Sequence, residues 1–350
     1  MITFRWFGPR DPVPLSHIRQ IPAVRGIVSA LYDVSVGEPW PVEKILALRE
    51  LVERENMSLE VVESIPVHED IKLGRPFRDR LIDNYSESIR NMGRAGVPVL
   101  CYNFMPVFDW TRTELARRLD DGSTALAYDD AALARIQLSR GTADLPGWAT
   151  AYSPGELRAL LDAYRAVTDD RLWENLAYFL ERVVPVAASS GVRMALHPDD
   201  PPWSIFGLPR IITNAAALER VIGLVDNGAN GITFCTGSLA ASPDNDLTEM
   251  ARCLAGKGRI HFAHCRNVKR TGLRSFRETA HPSDQGDVDM RAVLATLAGN
   301  GFDGPIRSDH GRMIWGESGQ PGYGLYDRAL GAMYLHGLWE GLTMSTARPK

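Results

Sequence analysis

Short apolar runs recur along the whole chain and predict β-strands. Most of them are rich in Val, Ile, Phe and Leu, which is the composition of strands buried on both faces of a sheet. Eight such runs cover residues 2–8, 26–31, 59–64, 97–104, 192–197, 232–237, 260–266 and 305–310.

Helical patterns fill the gaps between these strands. Two of the helices stop at a glycine, Gly96 and Gly191, as helix ends often do. The predicted helices cover residues 42–57, 77–96, 172–191, 216–225, 247–256 and 290–301, and a last one runs from near Tyr323 toward Leu342. Strands that alternate with helices in this way run parallel and are joined by right-handed crossovers.

Eight strand and helix units favour closure of the sheet into a barrel. We therefore predict an α/β protein, a (β/α)8 TIM barrel that forms a single domain over residues 1–350. An open, doubly wound sheet is the structural alternative. Residues 105–171 interrupt the alternation, and three helix-like stretches lie within them, at 110–122, 129–140 and 153–166. We interpret residues 105–171 as a helical insertion after strand four that serves as a cap or a subunit contact.

Composition and charge exclude several classes of protein. The 350 residues include 39 Lys and Arg and 43 Asp and Glu, for a net charge of −4, so we expect neither nucleic acid nor an anionic membrane as a partner. No apolar run reaches the roughly 18 residues of a membrane helix. The start of the chain lacks the apolar core of a signal peptide, so we expect a cytoplasmic location. The four cysteines form no CxxC pair, which argues against a zinc ribbon.

Side chains that bind metal ions end four consecutive predicted strands. They are His197, Cys235, His264 and Asp309. The active sites of such barrels lie at the carboxyl ends of the strands, so these four side chains should converge on one rim. Each has an ordinary structural explanation when taken alone, but together they predict a metal site. The softness of the set by itself would suit zinc or iron.

Polar residues at the other strand ends suit a substrate with many hydroxyl groups, such as a sugar acid. Arg266 could hold a carboxylate with its planar fork, although a salt bridge that fixes its loop is an equal alternative. The candidate substrate-binding residues are Trp6, Glu63, His68, Asn103, Asp199 and Arg266.

Several longer motifs carry a resemblance to a known family. They include RWFGPRDPVPL at 5–15, CYNFMPVFDWTRT at 101–113, HPDDPP at 197–202, SDHG at 308–311 and PGYG at 321–324. Further ones are VVESIPVHEDIK at 61–72, GLPRI at 207–211, FCTGS at 234–238, DNDL at 244–247, HCRN at 264–267 and GDVDM at 286–290. Taken in their order along the chain, these motifs span nearly the whole sequence, and they resemble the mannonate dehydratase family of bacterial hexuronate (glucuronate) breakdown.

The resemblance implies a xylose-isomerase-like TIM barrel and a hydro-lyase that converts D-mannonate to 2-keto-3-deoxy-D-gluconate and water. It also implies Mn²⁺, or alternatively Fe²⁺ or Co²⁺, on the four metal-binding residues above, and a homodimer. His310 and Tyr323 would form the acid and base pair, with their individual roles left open. A metal-dependent sugar or sugar-acid isomerase or epimerase, a dehydratase of another aldonate and a non-catalytic sugar-acid sensor are the alternatives.

Overall fold

Eight parallel strands close into a barrel in the computed structural model, which describes residues 1–136 and 152–344. Around the barrel, each strand pairs with the next in chain order and the last pairs with the first. The barrel strands are β1 (Ile2–Arg5), β2 (Val24–Ser29), β3 (Ser58–Glu63), β4 (Val99–Tyr102), β7 (Arg193–Leu196), β8 (Asn230–Cys235), β9 (Ile260–His264) and β12 (Ile306–Arg307). All eight predicted strands and the TIM barrel are thus confirmed, and the doubly wound sheet is wrong.

Helices surround the barrel and the loops at its carboxyl end. They are α1 (Leu15–Ile18), α2 (Val42–Glu53), α3 (Glu69–Lys72), α4 (Arg78–Arg94), α5 (Asp130–Leu133), α6 (Pro154–Tyr164), α7 (Asp169–Ser189), α8 (Ala215–Leu224), α9 (Thr236–Ala240), α10 (Leu247–Gly256), α11 (Met290–Gly299) and α12 (Tyr326–Met344). Every helix predicted outside the insertion is present. Among the described residues, no helix combines the length and the apolar composition needed to cross a membrane.

Helix α7 illustrates how the sequence sets these elements. The Thr168 side chain accepts a hydrogen bond from the backbone N–H of Arg171 and so caps the first turn. Past the helix end, Gly191 adopts a φ of 69°, which a residue without Cβ tolerates. The residues buried against the barrel recur at helical spacing, and they include Leu172, Leu176, Phe179, Leu180 and Val183.

The barrel has two apolar layers. The larger core fills the space between the strands and the surrounding helices. A small separate cluster, which includes Val61, Val99 and Phe262, fills the barrel interior. Because Phe262 faces inward, alternation along β9 points His264 inward as well. The interior cluster therefore forms an apolar floor beneath the polar carboxyl ends of the strands.

A second sheet lies at the carboxyl end of the barrel, and it corrects the predicted helical insertion. Its antiparallel strands, in the order β10-β11-β6-β5, are β5 (Glu114–Arg118), β6 (Thr124–Asp129), β10 (Val268–Gly272) and β11 (Ser275–Glu278). The stretch 110–122 was expected to be helical but contains β5. The stretch 129–140 is helical only over α5, and its residues from 137 on lie outside those described. The third stretch does form α6.

Pairing with a distant strand explains the wrong helical prediction. Strand β6 pairs with β11, so Tyr128 lies opposite Phe276, and their rings stack with centroids 5.7 Å apart. The Leu, Ala and Arg residues of β5 favour a helix locally, but β5 pairs with β6, which in turn pairs with β11 about 150 residues away, and this sheet outweighs the local preference. Both hairpins follow barrel strands, β4 and β9, so the small sheet lies where those strands deliver their polar residues.

Candidate active site

Three of the predicted metal ligands lie together at the ends of β7, β8 and β9. Ligand atoms of His197, Cys235 and His264 all lie within 4.8 Å of one another. The two imidazoles approach closely, with His197 Nε2 3.1 Å from His264 Nδ1. His197 Nδ1 lies 2.7 Å from the carbonyl oxygen of Pro198 and donates to it, which leaves Nε2 as a lone-pair donor toward the group.

Asp309 completes the predicted set from the other side. Its Oδ2 atom lies 3.8 Å from His264 Nδ1, and the residue adopts a φ of 55°, which is uncommon outside glycine. Burial raises the pKa of Asp309, but Arg307 and neighbouring cations lower it by more. The pKa therefore lies well below its usual range, and the carboxyl group is ionised. The structure therefore places Asp309 beside His264, next to the close group of His197, Cys235 and His264.

The donor set fits a divalent ion. Two nitrogens 3.1 Å apart match two ligands of one ion at roughly 2.1 Å each. His264 Nε2 is fully buried and has no hydrogen-bond partner among the described residues. If Nδ1 binds an ion, Nε2 carries the proton. Glu63 Oε1 lies 3.6 Å from Nε2, and metal-bound histidines usually have a carboxylate in this position.

The surroundings of Cys235 favour its thiolate. Burial raises the pKa of the thiol, but Arg266 and His197 lower it by more, so the pKa lies below its ordinary value. Arg266 reaches this position only because residue 237 is glycine, where a Cβ would lie 2.5 Å from the arginine side chain. A buried thiolate is the form of cysteine that binds metal ions.

A second group of metal-binding side chains shares His264 but suits an ion less well. It comprises Glu63, Cys101 and His264. Glu63 already contacts two arginines, with Oε1 3.0 Å from Arg307 Nη2 and Oε2 3.7 Å from Arg5 Nη1. Burial raises the pKa of the Cys101 thiol well above its usual value, so this sulfur stays protonated. The second group therefore lacks the carboxylates that an isomerase-type metal site would need.

The predicted acid and base pair lies beside the first group. His310 Nε2 and the Tyr323 hydroxyl are 2.8 Å apart, and His310 Nδ1 lies 3.2 Å from Glu278 Oε1. Burial raises the pKa of Tyr323 above its ordinary value, so the phenol keeps its proton near neutral pH. The Trp110 ring packs edge-on against His310, with centroids 5.1 Å apart. Carboxylate, imidazole and phenol thus form one hydrogen-bonded chain.

Arg266 belongs to a buried network of charges. Its nitrogens contact the carboxylates of Asp200, Glu278 and Asp309, the last at 2.9 Å. Arg112 contacts Asp200 and Glu278 at 2.8 Å and 2.7 Å. The expectation that Arg266 holds the substrate carboxylate is therefore not supported, because its guanidinium already pairs with three carboxylates. The structure favours the alternative, a salt bridge.

A cavity of about 400 Å³ opens over these groups at the carboxyl end of the barrel. Ligand side chains His197 and Asp309 line it, together with His310 and Tyr323. Its other lining residues are Arg5, Phe7, Ala30, Leu31, Tyr32, Val34, Val36, Glu63, Ser64, Pro66, Cys101, Tyr102, Asn103, Met105, Asp109, Trp110, Asp200 and Arg307. The cavity has room for a six-carbon acid between the metal-binding side chains and the acid and base pair.

Two of the six predicted substrate-binding residues, Glu63 and Asn103, line this cavity. Of the others, Trp6 is buried in the apolar core. His68 caps α3, where its Nδ1 accepts a hydrogen bond from the Asp70 N–H. The Asp199 carboxylate accepts from the Ile212 N–H. Trp6, His68, Asp199 and Arg266 therefore hold the scaffold and do not face the cavity.

Sequence reasoning missed several residues of the site. Arg307 lies two positions before Asp309, so strand alternation would have placed both on the inner face. Arg5 ends β1 and lines the cavity, but it is not among the candidate residues predicted from the sequence. Glu278 and Arg112 had no local signal, because the small sheet brings Glu278 to the site from β11.

Comparison with known protein families identifies the chain. The model of the D-mannonate dehydratase (UxuA) family matches residues 1–348. The chain belongs to this family. Its members are hydro-lyases, so the predicted enzyme class, a lyase, is confirmed.

Individual relatives match over nearly their full length. Mannonate dehydratase 2 of Halalkalibacterium halodurans is 56% identical over 98% of this chain and 99% of its own. The crystal structure of mannonate dehydratase from Streptococcus suis serotype 2 is similar, with a TM-score of 0.93 and 50% identity over 99% of this chain and 96% of that one. A xylose isomerase domain protein from Planctomyces limnophilus has the same fold, with a TM-score of 0.56 and 15% identity over 98% of both chains.

Proposed function

We propose that this protein dehydrates D-mannonate to 2-keto-3-deoxy-D-gluconate, as the family name implies. One observation supports the proposal beyond the name: His197 and Asp309, which lie next to Cys235 and His264, line the same cavity as the His310–Tyr323 pair. A dehydration that removes a proton beside a carboxylate needs both elements, a cation to stabilise negative charge and groups that move protons.

The ion that we propose is Mn²⁺, with Fe²⁺ or Co²⁺ as alternatives, held by His197, Cys235, His264 and Asp309. When bound, the ion acts as a Lewis acid that stabilises negative charge on the substrate oxygens. Ligand softness alone would favour zinc, but metal supply and site geometry decide the metal in the cell. The remaining chemistry belongs to side chains of this protein.

Proton movement follows from the Glu278–His310–Tyr323 chain. Glu278 holds a proton on His310 Nδ1, which leaves Nε2 as the basic nitrogen, so we assign the base role to His310. His310 removes the C2 proton, and the C–H electrons form the C2–C3 double bond as the C3–O bond breaks. Tyr323 turns its hydroxyl hydrogen from Nε2 toward the leaving oxygen and donates it, which releases water. The resulting enol gives the 2-keto product when its hydroxyl proton is lost and C3 is protonated.

The test is turnover of chelator-treated protein on D-mannonate, with and without added Mn²⁺, measured as the 2-keto-3-deoxy acid formed. Product that depends on the ion supports substrate, reaction and metal together. Absence of product in protein that retains the ion refutes D-mannonate as the substrate, and a panel of C2 and C3 epimers then tests the alternative aldonates.

A homodimer and a cytoplasmic location are further parts of the proposal. The dimer follows from the family resemblance, and Leu273, in the β10–β11 turn, exposes 93% of its surface. Light scattering on the purified protein tests the dimer: a monomeric mass refutes it. Cell fractionation tests the location.

A further inference from the structure

Of the described residues that line the cavity, two are arginines, and both contact Glu63. Arg5 donates to the Glu63 backbone oxygen and, from Nη2, to the Tyr32 hydroxyl at 2.9 Å. Arg307 donates from Nη2 to Glu63 Oε1 at 3.0 Å. Arg5, Glu63 and Arg307, called the arginine cluster below, come from β1, from β3 and from β12, on adjacent sides of the barrel.

Two of the three nitrogens of the Arg307 guanidinium make no hydrogen bond to the described residues. Its side chain is 4% exposed, yet Nε and Nη1 have no hydrogen-bond partner among the described residues. A buried donor without an acceptor costs free energy, and charged donors cost more than neutral ones. Nε and Nη1 are therefore two unused donors on a side chain that lines the cavity.

The charge of the arginine cluster indicates the sign of that acceptor. Two guanidinium groups share one Glu63 carboxylate, so one positive charge at the cavity wall is in excess once Asp309 is counted with the metal-binding group. Asp309 also contacts Arg307, at 2.7 Å, but its negative charge is needed in the metal-binding group. A single carboxylate from a ligand would balance the excess charge. Arg307 Nη2 already contacts Glu63 and Asp309, so the ligand would receive single charged hydrogen bonds from Nε or Nη1 and not a parallel pair.

We propose that Arg307, supported by Arg5, binds the carboxylate of the sugar acid, and that the free Glu63 Oε2 accepts a hydrogen bond from a nearby substrate hydroxyl. This assigns to Arg307 the role that the sequence suggested for Arg266, and it rests on the proposed function for the identity of the acid.

The position of Arg307 suits the proposed reaction. Asp309 Oδ1 lies 2.7 Å from Arg307 Nη2 and 3.9 Å from His310 Nε2, so one oxygen atom neighbours both residues. A carboxylate on Arg307 holds the adjacent carbon, C2, next to the nitrogen that removes its proton. Arg307 is thus a residue that positions the substrate and selects acids over neutral sugars.

The experiment compares two probes by calorimetry at saturating Mn²⁺: D-gluconate, which carries a carboxylate, and the uncharged alditol sorbitol. In Arg307→Met the affinity for gluconate should fall by about 10- to 100-fold or more, the range for one or two charged hydrogen bonds. Sorbitol affinity should change little. Arg307→Lys keeps the charge but loses the planar guanidinium with its fixed donors, and its gluconate affinity should be intermediate. Arg25→Met, at the opposite end of the barrel, is the matched control.

A binding measurement on the unmodified chain tests the proposal even if the Arg307 variants do not fold. If Arg307 holds the carboxylate, chelator-treated protein should still prefer gluconate over sorbitol. Loss of that preference without the ion, or its retention in Arg307→Met, would overturn the proposal, because the ion would then hold the carboxylate. Neither binding measurement needs turnover, so failure of the D-mannonate assay leaves this test intact.

Discussion

Arg112 offers a direct test of the buried charge network. Its guanidinium donates to both oxygens of Asp200, at 2.8 Å and 3.1 Å, and to Glu278 Oε1 at 2.7 Å, and its side chain is completely buried. Replacement by alanine removes these three hydrogen bonds. Asp200 and Glu278 would then share Arg266 as their only arginine partner in the network.

The expected loss of stability follows from the burial. Removing one partner of a buried ion pair costs about 3–5 kcal/mol, because the remaining charge is left without compensation. An unfolding entropy of about 2.1 cal/mol/K per residue gives roughly 0.7 kcal/mol/K for a chain of this length. Arg112→Ala should therefore lower the melting temperature by about 4–7 °C.

Scanning calorimetry measures this effect, and Arg117→Ala is the matched control in the same small sheet. Arg117 is about half exposed and lies 3.5 Å from Glu114, so its loss should cost at most about 1 kcal/mol. A melting temperature lowered equally by both substitutions would refute the argument that the buried network stabilises the junction of sheet and barrel.

Three further predictions concern the site itself. Cys235→Ala should weaken the affinity for Mn²⁺ by at least roughly 100-fold, measured by chelator competition, because a ligand is lost. His310→Asn should retain the ion, but its turnover rate should fall by a factor of about 10²–10⁴, because the base that takes the C2 proton is removed. Burial raises the pKa of Glu278, but Arg266 and Arg112 lower it by more, so the pKa falls from 4.5 to about 2. Its stabilising contribution is therefore complete above pH 4.5 and lost as the pH falls toward 2, so Glu278→Gln should flatten the acid dependence of urea unfolding in that window.

Matched controls accompany these variants. Cys253→Ala, on α10, should leave the affinity for Mn²⁺ unchanged, and His336→Asn, on α12, should leave turnover unchanged. Full turnover in His310→Asn would exclude His310 as the base, and unaltered ion affinity in Cys235→Ala would exclude the thiolate as a ligand. An acid dependence of Glu278→Gln identical to that of the unmodified chain would show that Glu278 does not carry the depressed pKa.

The barrel and its metal-binding residues could be predicted from the sequence because both leave a local trace. Barrel strands are buried on both faces, so each is a continuous apolar run, and a polar residue at its end stands out. Parallel strands all end at one rim, so His197, Cys235, His264 and Asp309 had to converge once the barrel was assumed. The motif SDHG also brought His310 next to Asp309 in the chain.

Only the tertiary structure decided which other charged residues reach the cavity. Glu278 contacts His310 because the β10–β11 hairpin, in which Glu278 pairs with Val268, folds over the end of the barrel, and no local pattern records that contact. Arg266 and Arg307 both lie near strand ends, yet Arg266 contacts three carboxylates, whereas Arg307 contacts two and keeps two nitrogens without a hydrogen-bond partner in the part of the chain that the structure describes. A sequence lists which charges exist, but the pairing of a buried charge depends on distances of a few ångströms, and those arise only when the elements pack.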